Sequence, residues 1–175
     1  MKVLIVVDMQ NDFIDGSLGT KEAVGIVDRV AEVMDSFDGA VICTRDTHFA
    51  DYLETSEGRK LPVAHCIEGT KGHALQDTIQ KMAEKKQAVV MNKITFGAKN
   101  LPEEIEKLAG GVPEFIELVG LCTDICVISN AMLLKAFYPE VPISVDASAC
   151  AGVTPQSHKN ALEAMKMCQI DIVNE

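Results

Sequence analysis

Asp8, Lys93 and Cys126 are an acid, an amine and a thiol, each set at or soon after the end of a short apolar run. A thiol becomes a strong nucleophile once it loses its proton. A carboxylate within reach can take that proton and later return it to a leaving group. An ammonium beside them favours the charged sulfur. If Thr123 caps a helix, Cys126 falls in its first turn, where the helix dipole and free backbone N–H groups favour a thiolate. The same N–H groups could hold a developing oxyanion. Acyl transfer through a thioester needs this group of parts. Arg45, Asp46 and His48 close another apolar run and add potential metal ligands. Each residue also has an ordinary reading: Asp8 as a turn residue, Lys93 as a solvated charge, Cys126 as a packed core thiol. Composition and spacing leave both readings open.

The elements that would position these residues alternate between apolar and amphipathic runs. Val3 to Val7 is continuously apolar, as in a strand buried on both faces. Ala40–Thr44, Ala88–Met91, Phe115–Val119, Ile143–Val145 and Ile170–Val173 repeat the pattern. Between them, apolar residues at three- and four-residue steps predict helices. One starts at a Thr20 cap and runs to Phe37. Others cover Leu75 to Met82, Pro102 to Leu108, Thr123 to Phe137, and Thr154 to Met167 with Pro155 at the first position. Residues 46–72 read as a long irregular segment, and a loop of that length is usually functional. The alternation predicts an α/β fold, a three-layer αβα sandwich around a mainly parallel six-stranded sheet, with residues 1–175 forming one domain. In such sheets ligands bind beyond the carboxyl ends of the strands. Asp8, Asp46, Lys93, Cys126 and Asp146 all belong to that rim.

Bulk properties narrow the function. The 175 residues carry 16 basic and 26 acidic side chains, a net charge of −10, and 47% are hydrophobic. That apolar content fills a core, and the acidic balance argues against nucleic acid as a partner. No apolar run approaches the roughly eighteen residues of a membrane span. The short apolar start, ended by Asp8, reads as a first strand and not as a signal peptide, so the expectation is a cytoplasmic protein without membrane contact. Six cysteines with no C-x-x-C pair indicate neither a zinc ribbon nor a thioredoxin-type site.

Three motifs carry a family resemblance. Asp8-Met9-Gln10-Asn11-Asp12-Phe13, Asn92-Lys93-Ile94-Thr95-Phe96-Gly97 and Gly120-Leu121-Cys122-Thr123-Asp124-Ile125-Cys126-Val127 resemble the motifs of the isochorismatase-like cysteine hydrolases, and among these the nicotinamidases. The resemblance implies catalytic roles for Asp8, Lys93 and the nucleophile Cys126. It implies a cis peptide at Leu121–Cys122 and an oxyanion hole formed by the N–H groups of Cys122 and Cys126. The implied reaction is hydrolysis of a small carboxamide through a thioester, with nicotinamide as the leading substrate. A homo-oligomer is the implied assembly.

The resemblance also implies a divalent metal, zinc, iron or manganese. Asp46-Thr47-His48 supplies an Asp-x-His pair, and His65 in Pro62-Val63-Ala64-His65-Cys66 a later ligand. Glu57 is the first candidate for the fourth ligand and Glu54 the second. His73 and His158 are given no role at the site. Phe13 and Phe96 are the implied substrate contacts. The departure is the second aromatic wall of the pocket: the chain has no tryptophan, and Leu61-Pro62 stands where that wall is expected. Two other readings stay in view. One is a metal-independent hydrolase of another small amide or carbamoyl substrate, and the other a non-catalytic binding domain.

Overall fold

The computed structural model describes residues 1–175. Its strands are β1 (Lys2–Val7), β2 (Ala40–Asp46), β3 (Val89–Lys93), β4 (Phe115–Leu121), β5 (Ile143–Ala151) and β6 (Asp171–Val173). Its helices are α1 (Asn11–Ile14), α2 (Lys21–Gly25), α3 (Val27–Ser36), α4 (Ser56–Lys60), α5 (Asp77–Lys85), α6 (Leu101–Ala109), α7 (Ile128–Phe137) and α8 (Pro155–Met167). The sheet order is β3-β2-β1-β4-β5-β6, and every pairing is parallel. The expected six-stranded α/β sheet is present, with no antiparallel member.

Side chains alternate across each strand, so β1 feeds two cores. Val3, Ile5 and Val7 pack with Leu101, Ile105 and Leu134 on one face. Leu4 and Val6 pack with Val30, Met34 and Ile79 on the other. Both faces of β1 are therefore dry, which is why its sequence is continuously apolar. No helix is long and apolar enough to cross a membrane.

From β3 at one edge the chain returns to the middle of the sheet and lays β4 beside β1, so the strand order reverses there. A crevice opens there at the carboxyl ends. Asp8 follows β1, Asp46 ends β2, Lys93 ends β3, and Cys122 follows β4. Asp8 has a positive φ of 49°, and Cys66 one of 46°. Left-handed backbone at residues other than glycine is strained and clusters at functional sites. Gly120, at φ 112°, runs so close to β1 that a Cβ there would collide with the Val7 carbonyl.

Three local expectations need correction. The helix predicted from Thr20 to Phe37 breaks at Ile26 into α2 and α3. Gly25 ends α2, and glycine is a weak helix former. Thr20 does cap α2, accepting a hydrogen bond from Ala23 N. The segment 46–72 is not wholly irregular, since it holds a 3₁₀ turn at Tyr52–Glu54 and α4, capped by Thr55. Thr123 is not a helix cap. Thr123–Val127 form a π-type turn preceded by Cys122, and the Thr123 hydroxyl lies 2.8 Å from His158 Nδ1 on α8.

Candidate functional site

Asp8, Lys93 and Cys126 meet. Lys93 Nζ is 2.7 Å from Asp8 Oδ2, 3.1 Å from Asp46 Oδ1 and 3.4 Å from Cys126 Sγ. The close contact with Asp8 Oδ2 is an ion pair poorly aligned for hydrogen bonding, and that oxygen has no other donor. Asp8 Oδ1 accepts a 2.6 Å bond from the Thr44 hydroxyl. All five side chains are buried. Burial works against the Lys93 charge, but Asp8, Cys126 and Asp46 outweigh it and hold the ammonium above its ordinary value. Burial pushes the Asp8 carboxyl up against the pull of Lys93.

The thiol departs from the expectation of a preformed thiolate. Burial, then the Asp8 carboxylate, push Cys126 well above its ordinary value despite Lys93. Cys126 lies in a π-type turn that runs directly into α7. Burial thus favours the protonated sulfur, and a nucleophilic step from that form moves the proton as the attack proceeds.

The turn that carries Cys126 is pinned from several sides. Asn130 Nδ2 donates to the Cys126 carbonyl at 2.8 Å and to Phe96 O at 3.2 Å, while its Oδ1 accepts from Ala98 N at 2.8 Å. Asp124 accepts from Val153 N at 3.1 Å. The Leu121–Cys122 peptide is cis, and the Cys122 N–H has no backbone acceptor.

A second cluster adjoins the first. One ligand atom from each of Asp46, His48, Glu57 and His65 lies within 4.8 Å of all the others. His48 Nε2 is 2.9 Å from Asp46 Oδ2 and 3.5 Å from Glu57 Oε1, and His65 Nε2 is 3.7 and 3.8 Å from the same two atoms. His65 Nδ1 donates to Val63 O at 2.8 Å, which orients the ring with Nε2 facing the carboxylates. Two imidazoles and two carboxylates in this arrangement fit a divalent metal. Glu57, and not Glu54, completes the set. His73 stays outside it, 2.8 Å from the Thr47 hydroxyl.

Buried amide chemistry fixes Asp46. Gln10 Oε1 accepts from Asp46 N at 2.7 Å, and its Nε2 donates to Asp46 O at 2.8 Å and His73 O at 2.9 Å. The side chain thus imitates a neighbouring strand. Asp12 Oδ2 accepts from Cys66 N at 2.7 Å and ties down the residue after His65. Tyr52 packs against both histidines, with ring centroids 4.6 and 5.0 Å away, and its hydroxyl donates to Leu61 O. Sequence reading missed Gln10, Asn130 and Thr44 as site residues. Gln10 lies in the first motif, so the motif was a usable signal for it.

Above the two clusters lies a cavity of about 580 Å³. Cys126, Cys122, Asp46, Glu57 and His65 reach its floor and side, and Phe13 and Phe96 line it as the sequence suggested. Phe13 stacks at a tilt on His65, with ring centroids 5.4 Å apart. Tyr52 backs the histidines and does not line the cavity, so Leu61 faces it where an aromatic wall was expected.

Residues 2–174 match the family model described as the isochorismatase domain. The nicotinamidase/pyrazinamidase of Mycobacterium tuberculosis is 28% identical over 191 residues, covering 99% of this chain and 98% of that protein. The structure of pyrazinamidase of Pyrococcus horikoshii in complex with zinc superposes with a TM-score of 0.78 at 26% identity, covering 99% of each chain. N-carbamoylsarcosine amidase from Thermoplasma acidophilum gives a TM-score of 0.78 at 28% identity, covering 98% of this chain and 94% of that one.

Proposed function

From the premise that this chain belongs to the isochorismatase family, we propose that it hydrolyses small carboxamides through a thioester on Cys126, with nicotinamide as the leading substrate. The observation that carries the reading is the contact of the Lys93 ammonium with both Asp8 and Cys126 at the floor of an apolar cavity.

The geometry divides the labour among the chain's own groups. Asp8 takes the proton from Cys126 as the sulfur attacks the carboxamide carbon. Its unaligned oxygen is the site for that proton. Lys93 keeps its charge and offsets the negative charge that moves between sulfur and carboxylate. The N–H groups of Cys122 and Cys126 receive the oxyanion. Asp8 then hands the proton to departing ammonia and deprotonates the water that releases the acid.

Asp46, His48, Glu57 and His65 would hold a divalent metal beside this centre. Zinc, iron and manganese all suit the donor set. When bound, such an ion supplies Lewis acidity next to the substrate ring and lowers the pKa of a coordinated water.

Similarity to N-carbamoylsarcosine amidase supports a small carbamoyl substrate as a second reading, in which no metal takes part in the cleavage. The cavity lining disfavours an anionic substrate of that kind, because Lys60 is its one basic side chain and there is no arginine. Ammonia release from nicotinamide and a carbamoyl amino acid, with and without chelator, separates the two. Cys126→Ala is expected to abolish turnover while the thermal midpoint stays near that of the parent. Full activity in that variant would falsify the reading.

A further inference from the structure

The cavity is larger and more apolar than a single-ring amide needs. Its volume is about 580 Å³, and 11 of its 19 lining residues are hydrophobic, so its walls offer more apolar surface than one ring covers. Leu61, Ile94, Phe96 and Val153 line the cavity and remain 38%, 64%, 45% and 50% exposed. They come from three separate loops, Ile94 and Phe96 sharing the one after β3. Ile125 and Leu18 continue the same surface. Scattered exposed apolar side chains are ordinary, but convergence of several on one opening marks a binding surface.

Charge narrows what fits there. Glu57 and Asp46 stand on one side of the cavity, and Lys60 is the one lining cation. An acyl group with a carboxylate would meet apolar walls and find no guanidinium. An apolar group would bury against Ile94, Phe96 and Val153 while its carboxamide reached Cys126.

Resting on the hydrolase reading above, we infer that this site favours neutral primary amides whose apolar acyl group extends beyond a single ring, with the mouth residues Ile94, Phe96 and Val153 as the specificity surface. Apolar burial at the mouth persists in the transition state, so it acts on kcat/KM. Each methylene that enters is worth about 0.8 kcal/mol, or about fourfold.

The test uses the whole protein and follows ammonia release from nicotinamide and from straight-chain primary amides, butanamide to decanamide. The expected result is a rise in kcat/KM of about fourfold per methylene until the mouth is filled. A flat or falling series, with nicotinamide still turned over, overturns the inference and leaves the hydrolase standing. No ammonia from any amide overturns the hydrolase reading itself. Ile94→Ser and Val153→Ser are each expected to lower the decanamide-to-butanamide ratio several-fold. An unchanged ratio in both variants overturns the assignment of the mouth. A changed subunit count in Ile94→Ser with the chain-length slope intact also overturns it, because the patch is then an interface between copies.

Discussion

Asp8 and Asp46 sit on neighbouring strands, both buried, both against the same lysine, and they behave as opposites. Asp46 has Lys93 at 3.1 Å, His48 at 2.9 Å and His65 at 3.7 Å. Burial alone would raise its carboxyl, yet His48, His65 and Lys93 hold it far below the usual range. Asp8 has one aligned donor, Thr44, and one crowded ammonium. Burial wins there and its carboxyl goes up. Asp8 is the more completely enclosed and also faces the Asp46 carboxylate, whereas Asp46 gathers more donors and cations, so burial and partners together set the two directions. The donor-rich carboxylate stays ionised and can anchor. The donor-poor one can accept a proton, which is the division that acid–base work requires.

Asp8→Asn is the hardest test of this contrast. It keeps the shape and removes the proton acceptor, so kcat should fall about a thousandfold. Metal content measured by atomic emission should not change. Loss of metal in this variant would show that the two carboxylates act as one unit.

The mirror experiment is Gln10→Leu, which leaves Asp46 N, Asp46 O and His73 O without their amide partner. Metal affinity, followed by competition with a chelator, should weaken about 10- to 100-fold, the range seen for groups that orient ligands. Turnover at saturating metal should recover most of its value. Equal loss of kcat at saturation would place Gln10 on the Asp8 side of the division.

A smaller effect separates the two sides by thiol reactivity. The Asp8 carboxylate is one of the groups that push the Cys126 thiol up. Asp8→Asn should therefore speed iodoacetamide alkylation at pH 8 although turnover is lost. A drop of one pH unit in the thiol corresponds to about tenfold more thiolate. Gln10→Leu should leave the alkylation rate as it was. Slower alkylation in Asp8→Asn would contradict the electrostatics described here.

The smallest effect reads the shared burial and not the difference. Cys43 on β2 and Cys122 after β4 are each pushed up to about 12 by burial. In the unfolded chain they ionise near 9, the ordinary value. Their contribution is thus complete below about pH 9 and is lost as pH rises toward 12. Each thiol costs about 1.4 kcal/mol per pH unit across that window. Urea midpoints measured from pH 8 to pH 10.5 should fall, and Cys43→Ala should flatten the slope. A midpoint constant to pH 10.5 would mean the two thiols ionise as easily folded as unfolded.

The strands and the reactive trio were legible because their signals are local. An apolar run or a short motif is visible without knowing what packs on it. Strand ends were less legible. β2 and β3 extend to Asp46 and Lys93, polar residues that a hydrophobic reading stops short of. β5 runs on to Ala151 although Ser144, Asp146 and Ser148 interrupt its apolar pattern. Asp146 is buried by Arg29 at 2.9 Å, a partner 117 residues away. The same distance problem hid Asn130, and it hid the role of Gln10 although the first motif marked its position. Each is a buried amide whose role lies in backbone groups of other segments, which no spacing rule reveals. Thr123 misled for a related reason: its hydroxyl found His158 on α8 and not the turn it opens.

The floor of the cavity is built on strand ends and the turn pinned behind them, whereas Leu61, Ile94 and Val153 stand on connecting segments spread along the chain and Phe13 on the short α1. Such an arrangement makes the rim modular. Changing single side chains on the connections after β3 and before α8 would retune which molecules enter, because the backbone there at Phe96, Ala98 and Val153 keeps its bonds to Asn130 and Asp124 and the reacting atoms stay where they are. Diversification on this scaffold can therefore proceed one rim side chain at a time, by selection or by design.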